Sequence, residues 1–445
     1  MAQPPGLPVR RAALRLLDAV LRRGETLEQA EGTALGDIRK APDRALARAI
    51  AGETLRWLTD LDALIDSATK QRLPDDAKAR MVLRLMLAQT LRLETPPHAV
   101  IATGLALLEG GPRRLAHGVF SALVKRADPP LPPAGGAGGG GGHASQAHPN
   151  PSREREGLLP PAPTLPERVV ARWGAQKAAA IAPGLAFPPE LDLALRDPSE
   201  TATRAVQMGG VSLAPGHIRL PRGAAVESLA DFKDGAWWVQ DLAASLPARL
   251  LGAGEGRSAL DLCAAPGGKT MQLAAAGWKV TALDMSKRRL DLLKDNLKRT
   301  GLKASPVRAD ALTWGPKHRF DAILIDAPCT ATGTCRRHPD VLHRIGKGQV
   351  AEMVELQRAL AAKAAEWLNP GGRLVYAVCS LEVEEGEEQA AWIDAELGLT
   401  PAPITAEELP AGLAPTPEGW LRTHPGMLAD EGGLDGFFVA RWVRK

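Results

Sequence analysis

The sequence predicts a multidomain protein: an all-α N-terminal bundle, a small mixed α+β middle domain, and a C-terminal α/β domain with a Rossmann-like, doubly wound sheet. Three observations predict it. Apolar residues recur at helical spacing, and nowhere with period two, through the first 128 residues. A Pro- and Gly-rich stretch then interrupts the chain. From about Ser258 onward, short β-prone segments alternate with amphipathic helical ones, the pattern of a parallel sheet flanked by helices. A length of 445 residues accommodates two or three such units.

The N-terminal stripes lie in RAALRLLDAVLRR, DRALARAIAGETLRWLTDLDALID, AKARMVLRLMLAQTLRL, HAVIATGLALLEG and AHGVFSALVKRA, so residues 1–128 read as one helical domain. That domain carries 20 Lys+Arg against 15 Asp+Glu, and the remainder of the chain 35 against 36. The basic excess fits nucleic acid and fits an ordinary solvated helical surface equally well. Residues 129–165 read as a flexible linker, because almost nothing there can be buried. Residues 166–250 form the small middle domain. LDLALRD and VSLAPGHIRLP read as strands, LPERVVARWG and DLAASLPARLLG as helices, and Asp241 stands where a helix N-cap belongs.

The domain from 251 to 445 carries the chemistry. Its strands are SALDL, KVTALD, SPVRAD, FDAILID and GRLVYAVCS, with FFVARWVRK expected as a final edge strand. The first runs into a glycine loop, Cys263–Lys269, before a helix, and Gly267 and Gly268 let that backbone approach a ligand closely. Gly268, Lys269 and Thr270 match the end of a phosphate-binding loop, but Cys263 occupies the position of its first glycine, so nucleoside-triphosphate binding is not expected. Asp284, Asp310 and Asp326 close three successive strands. Each alone fits a loop cap, and together they favour a nucleoside ligand whose ribose Asp284 would hold and whose adenine edge Asp310 would meet.

The four cysteines form no C-x-x-C pair, so neither a metal site nor disulfides are expected. Cys263 and Cys335 read as small apolar residues. Cys329, in IDAPCTATGTCRRHPD, and Cys379, in VYAVCSLEVEEGE, should face one crevice from neighbouring strand ends. Two thiols beside a nucleoside cofactor suit methylation at carbon 5 of cytosine, a poor nucleophile until a thiolate adds to carbon 6.

Together, ALDLCAAPGGKT, the DAPC loop with TATG and RRHPD, VYAVCS and the closing DGFFVARW resemble the RNA 5-methylcytosine methyltransferases. The helical domain, in DRALARAIAGETLRWL and AHGVFSALVKRA, resembles the RNA-binding domain of the NusB antitermination factor. The fusion resembles the bacterial small-subunit (16S) ribosomal RNA cytosine-C5 methyltransferases, the RsmB/Sun family. The resemblance implies S-adenosyl-L-methionine lying across Cys263, Ala264, Ala265, Pro266, Gly267, Gly268 and Lys269 and held by Asp284, Asp310 and Asp326, with Asp326 also within reach of the cytosine. It implies Cys379 as nucleophile, Cys329 in release of the product, and ribosomal RNA as partner. Arg336, Arg337 and His338 are expected at RNA phosphates, or in a merely solvated basic loop. The alternatives are the same reaction on tRNA or another ribosomal site, and an inactive RNA-binding or antitermination factor. A cytoplasmic location is expected, with no membrane span, no metal and no obligate protein partner. Thr330, where the family often has Ser, and the glycine-rich linker are the departures.

Overall fold

A computed structural model describes residues 4–127 and 158–445. Residues 128–157, which include most of the expected linker, lie outside the described residues. The chain divides into two compact units, Met1–Val170 with His338–Arg344, and Ala171–Arg337 with Ile345–Lys445.

The first unit is helical. Its helices span Leu7–Arg23, Leu27–Ala34, Ala41–Arg56, Leu58–Ser67, Lys78–Leu91, Pro97–Gly104 and Gly110–Ala127. The stripe Leu16, Leu17, Val20 on the first helix packs with Ile50, Leu55, Met81 and Leu85 in one buried cluster. The single long helical run expected around residues 43–66 is broken at Trp57, a fully buried indole with the Arg92 guanidinium 4.5 Å from its ring centroid. The helix Leu27–Ala34 escaped the sequence reading. A capping box explains its start: Thr26 accepts from Gln29 N, and the Gln29 side chain accepts from Thr26 N. Two outlying segments belong to this unit. Thr164 donates to Asp60 through its N (2.9 Å) and its Oγ1 (2.6 Å), and His343 Nε2 lies 2.7 Å from Leu55 O.

The second unit holds two sheets. Strands β1 (Leu191–Leu195), β2 (His217–Leu220) and β3 (Trp237–Val239) form an antiparallel sheet in the order β2-β1-β3. The larger sheet contains β4 (Ser258–Leu262), β5 (Lys279–Asp284), β6 (Ala304–Arg308), β7 (Phe320–Asp326), β8 (Leu368–Val378), β9 (Leu399–Pro401), β10 (Leu421–Arg422) and β11 (Phe438–Arg444). Its order is β10-β11-β8-β7-β4-β5-β6, with β9 also on β11. The five strands β8 to β6 along that order are parallel, which makes this the expected Rossmann-like fold. Alternating side chains of β7 feed two cores, Ile323 and Ile325 on one face, Ala322 and Leu324 on the other. Burial on both faces is why these strands read as unbroken apolar runs.

One placement differs. The tail strand β11 is not an edge: it pairs antiparallel with β8 on one side and with β9 and β10 on the other. Its residues Phe438, Ala440 and Trp442 are buried accordingly.

Candidate active site

β4 lies between β7 and β5, where the strand order reverses, and its carboxyl end opens into the glycine loop. Cys263 turns the chain with a φ of 61°, and Gly267, at φ 106°, precedes the helix Gly268–Ala275. A side chain at Gly267 would meet Leu293 at 3.0 Å in a backbone conformation that L residues rarely adopt. The loop therefore presents bare backbone along one edge.

Asp284 is buried and organises this loop. Its carboxylate accepts from Ala265 N (3.2 Å) and Ser286 N (2.8 Å), and Arg289 lies 3.7 Å away. Asp310 is exposed, two residues beyond β6, and accepts from Leu312 N at 2.9 Å. Asp326, at the end of β7, pairs with Lys269 Nζ at 2.7 Å, and that ammonium also lies 5.3 Å from the Phe437 ring centroid.

Sequence reasoning missed a fourth acid, Asp261. It lies inside β4, fully buried, and accepts a short bond from Thr270 Oγ1 (2.5 Å), while its Oδ1 has no partner. Burial pushes its pKa up to about 7, with Asp326 and Asp284 adding in the same direction. The signal was an acid interrupting an apolar strand. Met285, directly after Asp284, is 70% exposed beside the acids. A cradle of bare loop backbone, an orphaned carboxylate oxygen and an uncovered apolar side chain fits a nucleoside carrying a cationic group.

Cys329 and Cys379 meet. β7 and β8 are paired, and the two Sγ atoms are 3.5 Å apart where the loops leave those strands. The Cys329 thiol is pushed well up, first by its contact with Cys379, then by burial and the Glu385 charge. The loop after Cys329 is stitched to its surroundings: Gly333 N donates to Cys379 O (3.0 Å), and Gly436 N donates to Gly333 O (2.9 Å). The other cysteines stand apart from this pair. Cys335 is fully buried, and burial followed by the three nearby acids pushes Cys263 up to about 12.

The basic loop is held by partners within the protein. Arg336 is buried and donates to Gly432 O at 2.7 Å. Arg337 bridges two buried carboxylates, Asp241 (2.6 Å) and Asp435 (2.9 Å). Both guanidiniums are turned inward and hold the loop in place, so of the three residues expected at phosphates only His338 is exposed. Asp241 also caps the helix Leu242–Arg249, accepting from Ala243 N as expected.

Among the described residues no group of three or more His, Cys, Asp or Glu could hold a metal ion, and no helix is long and apolar enough to cross a membrane.

Comparison with known proteins matches residues 248–443 to the family 16S rRNA methyltransferase RsmB/F and residues 7–109 to the NusB family. Ribosomal RNA small subunit methyltransferase B of Citrobacter koseri is 32% identical over 418 residues, covering 91% of each chain. The protein of the same name from Pseudomonas syringae pv. tomato is 30% identical over 98% of this chain and 96% of its own. A methyltransferase homolog protein from Pyrococcus horikoshii has a similar crystal structure. It has a TM-score of 0.53 at 26% identity, over 63% of this chain and 95% of its own.

Proposed function

The chain belongs to the 16S rRNA methyltransferase RsmB/F family, an S-adenosylmethionine-dependent enzyme family, and from that premise we propose that it methylates carbon 5 of a cytosine in small-subunit ribosomal RNA through a covalent adduct on Cys379. The observation that carries this reading is the pair of sulfurs 3.5 Å apart at adjacent strand ends, alongside the glycine loop.

The cofactor would lie over Cys263–Lys269, with Asp284 at the ribose, Asp310 towards the adenine and Asp261 towards the cationic end. When bound, it supplies the electrophilic methyl group that carbon 5 takes. The work of the chain's own residues is to make carbon 5 nucleophilic. Cys379, once it has given up its thiol proton, adds as a thiolate at carbon 6 of the cytosine, with the Cys329 sulfur 3.5 Å away. The addition breaks the ring's aromaticity and leaves electron density on carbon 5. Asp326, with one oxygen on Lys269, sits at the end of the strand that leads to Cys329, where its other oxygen can accept from the cytosine. After methylation Cys329 assists removal of the carbon 5 proton, and the carbon–sulfur bond to Cys379 then breaks. The base must be turned out of any helix or stack to reach these sulfurs.

The NusB-like helical unit favours ribosomal RNA over transfer RNA as the substrate. Bisulfite mapping of 16S RNA from a deletion strain should show one cytosine losing its protection and regaining it on complementation. An unchanged 16S map with a lost mark on tRNA would move the substrate to tRNA.

A further inference from the structure

We propose that Glu385 is a positioning residue for this reaction: its carboxylate staples the loop after β7 to the loop after β8 and thereby sets the separation of Cys329 and Cys379. The inference rests on the thiol reading above and deepens it.

Glu385 is fully buried. Its Oε1 accepts from Thr330 N at 2.9 Å and from Gln357 Nε2 at 3.0 Å. Its Oε2 accepts from Ser380 Oγ at 2.5 Å and from Thr330 Oγ1. Thr330 directly follows Cys329, and Ser380 directly follows Cys379. One carboxylate thus holds the residue after each cysteine. Gln357, from the helix Lys347–Trp367, also donates to Pro328 O at 2.9 Å, so Cys329 is gripped on both flanks. The staple is itself braced: Tyr376 OH donates to the Glu385 carbonyl at 2.8 Å, and Ser380 Oγ accepts from Glu382 N at 3.1 Å.

A buried carboxylate is expensive to keep, and apolar residues can join two loops more cheaply. What apolar packing lacks is direction. Four donors converging on two oxygens fix both loops to hydrogen-bond tolerance, and the reacting sulfurs lie one residue from those bonds. Burial raises the Glu385 pKa while its bonds to Ser380 and Thr330 act against that rise, which agrees with a carboxylate held by its donors.

The test uses the full-length enzyme and measures kcat, KM for RNA and Kd for S-adenosylmethionine. Glu385→Ala should lower kcat about 100-fold, the cost of sulfurs misplaced by about 1 Å. Cofactor Kd and RNA KM should stay within about threefold, since neither surface is touched. Glu385→Asp, one methylene short, should fall like the alanine variant. Glu385→Gln should restore kcat to within about fivefold, because its amide oxygen still accepts from Thr330 N and its amide hydrogens can donate to the two hydroxyls. If Glu385→Ala does not fold, the double variant Thr330→Val, Ser380→Ala removes both hydroxyl donors and should lower kcat with cofactor Kd unchanged. Full kcat in Glu385→Ala or in the double variant would overturn the staple. Equal losses in the glutamine and alanine variants would also overturn it, since charge and not geometry would then matter. Activity surviving in Cys379→Ala would overturn the thiol reading beneath it, independently of Glu385.

Discussion

Replacing Asp261 by Asn should stabilise the protein while weakening its grip on the cofactor. The carboxyl is fully buried, and its pKa rises from 3.8 to about 7. The native state therefore holds this proton through a pH range in which the unfolded chain has released it. Native-state stability falls as pH rises from about 4 to about 7, and the full penalty applies above that. Three pH units correspond to about 4 kcal/mol, an upper bound because Asn is itself a buried polar group. Asn keeps an oxygen for Thr270 Oγ1 and cannot ionise. Urea unfolding followed by tryptophan fluorescence should find the variant about 1–4 kcal/mol more stable than wild type at pH 8, with the difference shrinking towards zero at pH 4. Taking the difference between the two proteins cancels the other titrating groups. Calorimetry should find S-adenosylmethionine binding weaker by about 1–3 kcal/mol, because a donor replaces the orphaned acceptor Oδ1. A wild-type advantage that grows from pH 4 to pH 8 would refute the reasoning, since Asp261 would then be ionised and well paired in the fold.

Asp284→Ala should also weaken cofactor binding by about 1–3 kcal/mol in the same calorimetric assay, with RNA affinity unchanged; cofactor binding at wild-type strength would remove Asp284 from the site. Gly333→Ala places a Cβ 2.0 Å from Gly436 O and must separate the Cys329 loop from the segment that leads into β11. With two backbone hydrogen bonds at stake, it should cost about 2–4 kcal/mol in urea unfolding, and near-wild-type stability would contradict the close approach.

The α/β half was legible because β4, β5, β7 and β8 are buried on both faces and announce themselves as apolar runs, with the glycine loop marking the strand that turns into the proposed cofactor site. The meeting of Cys329 and Cys379 followed from topology, since neighbouring strand ends share a crevice. What escaped depends on long-range pairing. Nothing local in FFVARWVRK shows that two more short strands, β9 and β10, cover its outer side. Arg336 and Arg337 look like a solvated basic loop until Asp241 and Asp435, distant in sequence, are seen to hold Arg337 inside. Glu385 stands in the acidic run EVEEGEE, where no spacing rule tells the buried Glu382 and Glu385 from the exposed Glu384 and Glu388. β3 is three residues long, too short for alternation to register.

The division of labour between the two cysteines is the centre of the account, and denaturing electrophoresis of single variants incubated with RNA and S-adenosylmethionine tests it directly. Cys379→Ala has no nucleophile and should give neither methylation nor a shifted band. Cys329→Ala should still add to cytosine and accept the methyl group, then stall as a covalent protein–RNA complex that survives denaturation. The double variant should give no band, and Cys335→Ala, a buried apolar position, should behave as wild type. A trapped band from Cys379→Ala in place of Cys329→Ala would exchange the two roles, and methylation by both variants without any band would contradict thiol catalysis itself.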